Sequence, residues 1–184
     1  MALELPAAVR DALDAWRRAV TGAPGAEGPP AGLRLLDPDA LHVTLCFLGS
    51  RPVAQIDGIG AACRSELAGA GSLSLALAEP LWLPRRRPGV LAVRLRDADE
   101  RLAAVQSGLA SALRNGGWYE PERRPFMPHV TVARVGRRER VRPVELAPPQ
   151  PMQFIGETVT LYRSRTGGSG AHYERLASVR RGAG

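Results

Sequence analysis

Two of the three histidines in this 184-residue chain stand in the same local sequence frame. The first frame reads LHVTLCFLG over residues 41–49, and the second reads PHVTVARVG over residues 128–136. On a β-strand, side chains at i and i+2 point to one face, so His42 should share a face with Thr44, and His129 with Thr131. We therefore predict two strands that each present an imidazole beside a hydroxyl, with the intervening valines turned into a core.

These residue types suit proton transfer at a phosphate. An unperturbed histidine has a pKa of about 6.5, so at neutral pH one imidazole of a pair can be neutral while the other is protonated. Such a pair supplies a general base and a general acid, and two hydroxyls can donate to the oxygens on which charge gathers during phosphoryl transfer. The sequence has no GxxxxGK[ST] phosphate loop, no serine nucleophile elbow and no zinc-type Cys/His spacing. The pattern favours metal-free acid/base attack on a phosphodiester.

The charge of the chain points to a polyanionic partner such as nucleic acid. The net charge is +7, and all 25 basic residues are arginine, which matches the geometry of phosphate better than lysine does. Arginines cluster at 85–87, at 123–124 and between 134 and 142. A solvated basic surface is the alternative interpretation of each cluster.

Cysteine usage and hydropathy indicate the compartment. Cys46 and Cys63 have no CxxC partner, and we interpret both as reduced thiols in the core. The N-terminus lacks the apolar region of a signal peptide, and no run of about 18 apolar residues is present. The sequence therefore predicts a cytoplasmic protein without a membrane span or a cofactor, and we expect a monomer.

Periodicity predicts an α+β chain in a single domain over residues 1–184. Apolar residues recur at helical spacing over residues 7–20, 52–67 and 102–113, and Asp97 with Glu100 forms an N-cap pattern before the third helix. Besides the two histidine frames, strands are predicted at 2–5, 33–36, 72–78, 90–95, 152–162 and 171–179. Loops are predicted at 21–32 and 84–88, and a turn at 167–170. Each half then runs strand, helix, loop and His-x-Thr strand, which indicates two duplicated lobes around a central cleft.

The two H-x-T motifs (42–45 and 129–132) resemble those of the two-histidine (2H) phosphoesterase superfamily. Within it, the phrases PFMPHVTVAR (125–134), LYRS (161–164) and LELP (3–6) are similar to the RNA 2′,3′-cyclic phosphodiesterase family, also called 2′-5′ RNA ligase. The resemblance covers nearly the whole chain. It implies a bilobal α+β fold with antiparallel sheets facing a central cleft and helices outside. It also implies opening of a terminal 2′,3′-cyclic phosphate on RNA to a 2′-phosphate.

Carried over by its motifs, the resemblance assigns a role to each residue of the frames. His129 would take a proton from water, and His42 would protonate the departing 3′ oxygen. Thr44 and Thr131 would hold the phosphate. Arg134 is also a substrate-binding candidate, but its position at i+5 from His129 is out of phase with the histidine on a regular strand. Its approach to the phosphate requires a twist or a bulge.

Base stacking is the least defined part of this prediction. In the family the first strand is usually longer and carries aromatic residues, whereas only a short stretch precedes Pro6 here. Phe126 is our substrate-binding candidate, and Trp82 or Tyr119 could serve instead, although each also suits core packing. The third histidine, His172, lacks a threonine two residues on and is expected on a surface strand.

Three alternatives stay open at this level. The chain could be a non-catalytic RNA-binding module that uses arginines for backbone contacts, although such binding needs neither imidazoles nor hydroxyls in register. Joining of RNA through 2′-5′ linkages could accompany or replace hydrolysis. The substrate could be an RNA end or a small cyclic nucleotide.

Overall fold

The computed structural model describes residues 1–22, 32–68, 71–136, 138–167 and 170–180. The helices are α1 (Ala7–Gly22), α2 (Ile56–Leu67) and α3 (Arg101–Asn115). The strands are β1 (Ala2–Glu4), β2 (Leu33–Leu35), β3 (His42–Thr44), β4 (Leu73–Leu83), β5 (Val90–Arg96), β6 (His129–Val135), β7 (Gln153–Gly156), β8 (Thr158–Gly167) and β9 (Gly170–Arg180). Among the described residues, no helix is long and apolar enough to cross a membrane.

The strands form one curled antiparallel sheet in the order β7-β4-β5-β6-β3-β1-β8-β9, and β2 pairs with β6 beside β3. The predicted α+β class with antiparallel strands is confirmed. Hydrogen bonding is continuous between the two halves of the sheet, because β3 pairs with β6 at Val43 and Val130. The two motif strands are therefore direct neighbours.

The core lies between the helices and the sheet face that carries the motif valines. Val43, Val130 and Leu3 are completely buried. The same cluster takes in apolar residues from α1, α2 and α3, including Val9, Leu13, Ile59, Cys63, Leu102 and Leu109. Burial of this face leaves the opposite face of β3 and β6, with its histidines and threonines, free for a ligand. The predicted alternation is confirmed along β3 and over residues 129–132 of β6.

The sixth strand contains a β-bulge at Val132. Opposite β5, Leu91 pairs with Ala133 and Ala92 pairs with Thr131, so one residue of β6 has no counterpart. Val132 and Ala133 are consecutive residues and both are completely buried. A bulge of this kind resets the alternation of side chains along the strand. Residues beyond it therefore point to the face opposite to the one expected from regular alternation.

A buried arginine contacts the bulge. Arg17 of α1 is 1% exposed, and its Nη1 donates to the carbonyl oxygen of Val132 at 3.0 Å. The backbone N–H of Leu36 donates to the same oxygen at 3.1 Å. The charge of Arg17 is balanced by Asp14, one turn earlier on the helix, which accepts from its Nε at 2.7 Å. Helix α1 thus fixes the bulged carbonyl from a position 115 residues away in the chain.

Most predicted elements are present, with corrections at their ends. The first motif strand is only three residues long, and the predicted strand at 152–162 is divided into β7 and β8. The fourth strand extends five residues beyond the predicted end at Ala78. Asp97 does not sit at the N-cap itself: Glu100 occupies it with φ 55°, and Asp97 accepts from the Ala103 N–H at 2.9 Å. Most of the predicted loop at 21–32, and the centre of the predicted turn at 167–170, lie outside the described residues.

We expect replacement of Arg17 by methionine to lower the free energy of unfolding by about 1–3 kcal/mol, since a buried charge-assisted hydrogen bond is lost. Arg18 is the matched control, because it also binds Asp14, at 2.8 Å, but its side chain is 64% exposed. Arg18→Met should change stability by less than about 0.5 kcal/mol. Urea denaturation of both variants measures the difference. Equal losses would show that Arg17 contributes no more than a surface ion pair.

Candidate active site

A single cavity of about 800 Å³ contains both motifs. His42 and Thr44 line it from β3, and His129 and Thr131 line it from β6. Its volume lies within the range of roughly 300–1,000 Å³ that small-molecule sites occupy. The four motif residues predicted from the sequence are thus brought to one place.

The pairing of β3 with β6 crosses the two motifs. Since Val43 pairs with Val130 in an antiparallel register, His42 lies across from Thr131 and Thr44 lies across from His129. The two histidines are then diagonal neighbours, for which separations of roughly 7–8 Å are usual. A phosphate between them would have an imidazole on each of two sides and a hydroxyl beside each imidazole.

Both imidazoles are held by the same backbone contact. His42 Nδ1 bonds the carbonyl oxygen of Ala40 at 2.7 Å, and His129 Nδ1 bonds that of Met127 at 2.8 Å. A carbonyl only accepts, so Nδ1 carries the hydrogen in each ring. Nε2 is then the nitrogen available to a ligand, as a base when it is neutral and as an acid when it is protonated. In both motifs the accepting carbonyl belongs to the residue two positions before the histidine, a similarity that the sequence alone did not reveal.

His42 lies in an aromatic and partly buried environment. Its ring stacks on Tyr162 at a centroid distance of 5.9 Å and meets the edge of Tyr173 at 4.9 Å. Burial lowers the pKa of His42 below 6.5, the Ala40 carbonyl opposes this, and the positive charges of the N-terminal amine and Arg134 lower it further. In the free protein His42 is therefore mostly neutral at pH 7.

A hydrogen-bond network anchored on Glu4 positions Tyr162. The hydroxyl of Tyr162 donates to Glu4 Oε1 at 2.8 Å, and Thr160 Oγ1 donates to the same oxygen at 2.7 Å. Arg175 Nη2 donates to Glu4 Oε2 at 2.9 Å. Burial and the Glu4 carboxylate raise the pKa of Tyr162, so its hydroxyl stays a donor. Strand β1 thereby supports the ring that stacks on His42.

The bulge in β6 accounts for the position of Arg134. Without it, Arg134 would be out of phase with His129, but the extra residue at Val132 returns it to the face of Thr131. Arg134 is exposed and lines the same cavity as both motifs. Of the two alternatives that the sequence left open, a twist or a bulge, the structure has the bulge.

Several residues that line the cavity were missed by sequence reasoning. Arginines 34, 51, 163 and 165 lie on its wall, and Arg163 Nε is buried without a hydrogen-bond partner in the described part of the chain. Its aromatic wall consists of Phe47, which is 73% exposed, together with Tyr162 and Tyr173. The LYRS phrase includes Tyr162 and Arg163, but in the sequence it indicates only the family resemblance and not a position in the cavity wall.

The aromatic candidates for base stacking lie elsewhere. Phe126 is half-buried and packs against the core, and Tyr119 is 8% exposed within it. Trp82 donates its Nε1 hydrogen to the Val144 carbonyl at 2.8 Å. None of the three is among the described residues that line the cavity. His172 is exposed on β9, as predicted.

The cavity wall is strongly basic. Of the described residues that line it, five are arginines and none is an aspartate or glutamate. Its hydroxyl, imidazole and guanidinium groups can donate hydrogen bonds to an anion. Across the described ranges, no three His, Cys, Asp or Glu side chains lie together in a way that could hold a metal ion. The arrangement is suited to binding phosphate and to moving protons around it.

Solved structures with similar folds match almost the whole chain. A protein of Thermus thermophilus shares 22% identity with a TM-score of 0.80, covering 97% of this chain and 94% of its own. Escherichia coli LigT in complex with 3′-AMP shares 24% identity with a TM-score of 0.78, covering 98% and 95%. A protein described as a phosphoesterase shares 25% identity with a TM-score of 0.80, over the same shares of the two chains.

No curated protein matches the chain in sequence. The sequence model of the 2′-5′ RNA ligase superfamily, however, matches residues 5–168, which include both H-x-T motifs and most of the cavity wall. With the paired histidines in one cleft of the expected fold, the chain belongs to the 2′-5′ RNA ligase superfamily of two-histidine phosphoesterases.

Proposed function

We propose that the protein hydrolyses a terminal 2′,3′-cyclic phosphate on RNA to a 2′-phosphate by two-histidine acid/base catalysis. The observation that carries the proposal is the crossed pairing of the motifs, which sets two imidazoles diagonally across one basic cavity. In each imidazole, Nδ1 is hydrogen-bonded to the backbone carbonyl two residues earlier, so Nε2 is the nitrogen that can face the substrate. This reaction needs a neutral Nε2 on one side of the phosphorus atom and a protonated Nε2 on the other.

The proposed reaction assigns one proton transfer to each histidine. His129 Nε2 takes a proton from water as the water oxygen attacks phosphorus. The bond from phosphorus to the 3′ oxygen breaks, and His42 Nε2 gives its proton to that oxygen. Thr44 and Thr131 donate to the non-bridging oxygens, where charge develops. The product carries a 3′ hydroxyl and a 2′-phosphate.

The lowered pKa of His42 sets a condition on its role as the acid. A neutral imidazole has no proton to give, so the bound substrate must favour the protonated form. The negative charge of the phosphate does this, because an opposite charge nearby raises the pKa of an imidazole. Arg134 is proposed to bind substrate too, although its positive charge acts on His42 in the opposite direction.

Two alternative functions, RNA ligation and RNA binding without catalysis, would give different results in the tests. If the 5′ hydroxyl of a second RNA replaces water, the same two proton transfers give a 2′-5′ linkage. A non-catalytic RNA-binding module would use the arginines alone. Analysis of the products formed from an oligonucleotide with a 2′,3′-cyclic end separates all three.

Replacing either His42 or His129 with alanine should lower kcat for such an oligonucleotide by roughly 10²–10⁴, the usual contribution of one positioned proton-transfer group. The double variant should lose less than the product of the two losses, because the pair acts as a unit. Thr44→Val and Thr131→Val should cost less. His172→Ala is the matched control, since this exposed histidine lies on β9 outside the described lining of the cavity. Folded His42→Ala and His129→Ala proteins with near-wild-type turnover would contradict the proposal.

The pKa of His42 should rise when an anion binds. In the free protein its ring should titrate below 6.5, and addition of inorganic phosphate should move the midpoint upward. NMR titration of the ring proton between the two nitrogens measures both values, and the signal is assigned by its loss in His42→Gln. A midpoint that phosphate leaves unchanged or lowers would argue against His42 as the acid.

Hydrolysis should continue in a chelator. The described wall of the cavity offers hydrogen-bond donors and no carboxylate, and carboxylates are the ligands that hard divalent cations prefer. The initial rate in EDTA should therefore equal that in its absence. A loss of turnover that is restored by a divalent ion would overturn the metal-free mechanism.

A further inference from the structure

A second cavity, of about 560 Å³, lies over β4 and β5 beside the main cavity that contains the motifs. Pro128 lines the second cavity and the next residue, His129, lines the main one, so the two cavities are neighbours at the start of β6. The volume lies within the range of roughly 300–1,000 Å³ for small-molecule sites. Hydrolysis by the two histidines, as proposed above, gives this cavity no role.

Arg94 of β5 connects the second cavity to the reacting centre. It pairs directly with His129 in the antiparallel register, so both side chains point to the same face, with Cβ atoms roughly 5 Å apart. Its neighbours Val93 and Leu95 are buried on the opposite face. Arg94 Nη1 donates to Glu79 Oε1 on β4 at 3.0 Å, and the two side chains are 51% and 53% exposed. This bond uses one of the five N–H donors of the guanidinium, so others can bind a ligand.

The order of the strands places Arg94 on the nucleophile side of the reacting phosphate. Across β4, β5, β6 and β3, the cavity face presents in turn Glu79, Arg94, His129 and His42. In phosphoryl transfer the attacking and leaving oxygens lie roughly in line with phosphorus. With His42 as the acid, the leaving oxygen and its ribose lie toward β3, and the oxygen that His129 activates lies toward β5. A group bonded to that attacking oxygen would extend toward Arg94.

The second cavity differs from the main one in its charges. Its described lining includes three carboxylates and two guanidiniums, from Glu79, Asp97, Glu100, Arg94 and Arg96. Because the carboxylates outnumber the guanidiniums, this lining does not favour a phosphate. A nucleoside with a free 5′ hydroxyl has no phosphate at that end, and its ribose hydroxyls and base edge both donate and accept hydrogen bonds. Carboxylates and guanidiniums side by side match such an uncharged ligand.

We propose that the second cavity, through Arg94 and Glu79, binds the 5′-terminal nucleoside of a second RNA and presents its 5′ hydroxyl to His129. The site rests on the proposed function, because it uses the same base and acid. The 5′ oxygen gives its proton to His129 Nε2 and bonds to phosphorus. The bond from phosphorus to the 3′ oxygen breaks, and His42 gives its proton to that oxygen, which leaves a 2′-5′ linkage. When the second cavity is empty, water attacks instead, so its occupancy sets the choice between joining and hydrolysis.

The experiment measures how one donor RNA is divided between two products. The donor ends in a 2′,3′-cyclic phosphate, an oligonucleotide with a 5′ hydroxyl is added in excess, and the joined and hydrolysed products are quantified together. In Arg94→Gln the ratio of joined to hydrolysed product should fall about tenfold, which is the usual contribution of one charge-assisted hydrogen bond. Glu79→Gln should lower the ratio as well. Because both products form in one reaction, an effect on donor binding cancels in the ratio.

Arg180→Gln is the matched control. Arg180 forms an exposed ion pair with Glu157 at 2.9 Å, as Arg94 does with Glu79, but it lies on β9 and is not among the described residues of either cavity. Its product ratio should equal that of the wild type. An unchanged ratio in Arg94→Gln, or an equal fall in Arg180→Gln, would overturn the site. Wild-type protein that hydrolyses the donor but joins none of the added oligonucleotide would overturn it too.

A binding measurement tests the second cavity independently of turnover. One probe is a 2′-5′-linked dinucleotide, which would span both cavities, and the other is a 2′-phosphate mononucleotide, which would occupy only the main one. Both are titrated into His42→Gln protein, so that the dinucleotide is not cleaved. Adding Arg94→Gln should weaken binding of the dinucleotide about tenfold more than binding of the mononucleotide. Equal weakening counts against the site. If wild-type protein forms neither product, the proposed function fails, whereas this comparison still decides the nucleoside site.

Discussion

The pairing of β3 with β6 at Val43 and Val130 is the contact on which the site depends. Both valines are completely buried, so the apolar face of each strand fixes which face is left for the cavity. A shift of one residue would reverse every side chain on the shifted strand, which would bury a histidine and expose a valine. Hydrophobic burial thus selects the register, and the register brings the two H-x-T motifs into their crossed arrangement. The catalytic geometry that we propose follows from packing on the opposite side of the sheet.

The second constraint is the bulge at Val132, which adjusts the alternation where a third functional side chain is needed. A strand with strict alternation cannot present residues at i, i+2 and i+5 on one face. The extra residue allows it, and its carbonyl accepts hydrogen bonds from Leu36 and from the buried Arg17. Burial of a charge is costly unless it is paired, and Asp14 supplies the pairing. The protein therefore places an ion pair in its interior next to the point where the strand departs from regularity.

Electrostatics then distinguishes the two sides of the sheet. The core face contains apolar side chains, whereas five arginines line the cavity, and the nearby carboxylates of Glu4 and Glu174 are paired with Arg175 and with Arg163. Such a wall attracts anions and lowers the pKa of a nearby imidazole. Burial, the largest cause, also lowers the pKa of His42, which favours the neutral imidazole in the free protein. The charge of a bound phosphate acts in the opposite direction, which links substrate binding to protonation of the proposed acid.

The sequence by itself determined the motif strands, the three helices, the α+β class and the superfamily. The strands, the helices and the class depend on local periodicity, since alternation and helical spacing are properties of a few consecutive residues, whereas the superfamily was indicated by the resemblance of the two H-x-T motifs. The sequence also showed that Arg134 needed either a twist or a bulge to reach the face of His129. The tertiary structure decided where the bulge lies and what holds it, because Arg17 and Val132 are far apart in the chain. It likewise decided the carbonyl contacts of the histidines, the tyrosines against His42, the pairing of Arg94 with His129 and the placement of Phe126 in the core rather than the cavity wall. These depend on strand register and on the meeting of distant segments, which local spacing does not encode.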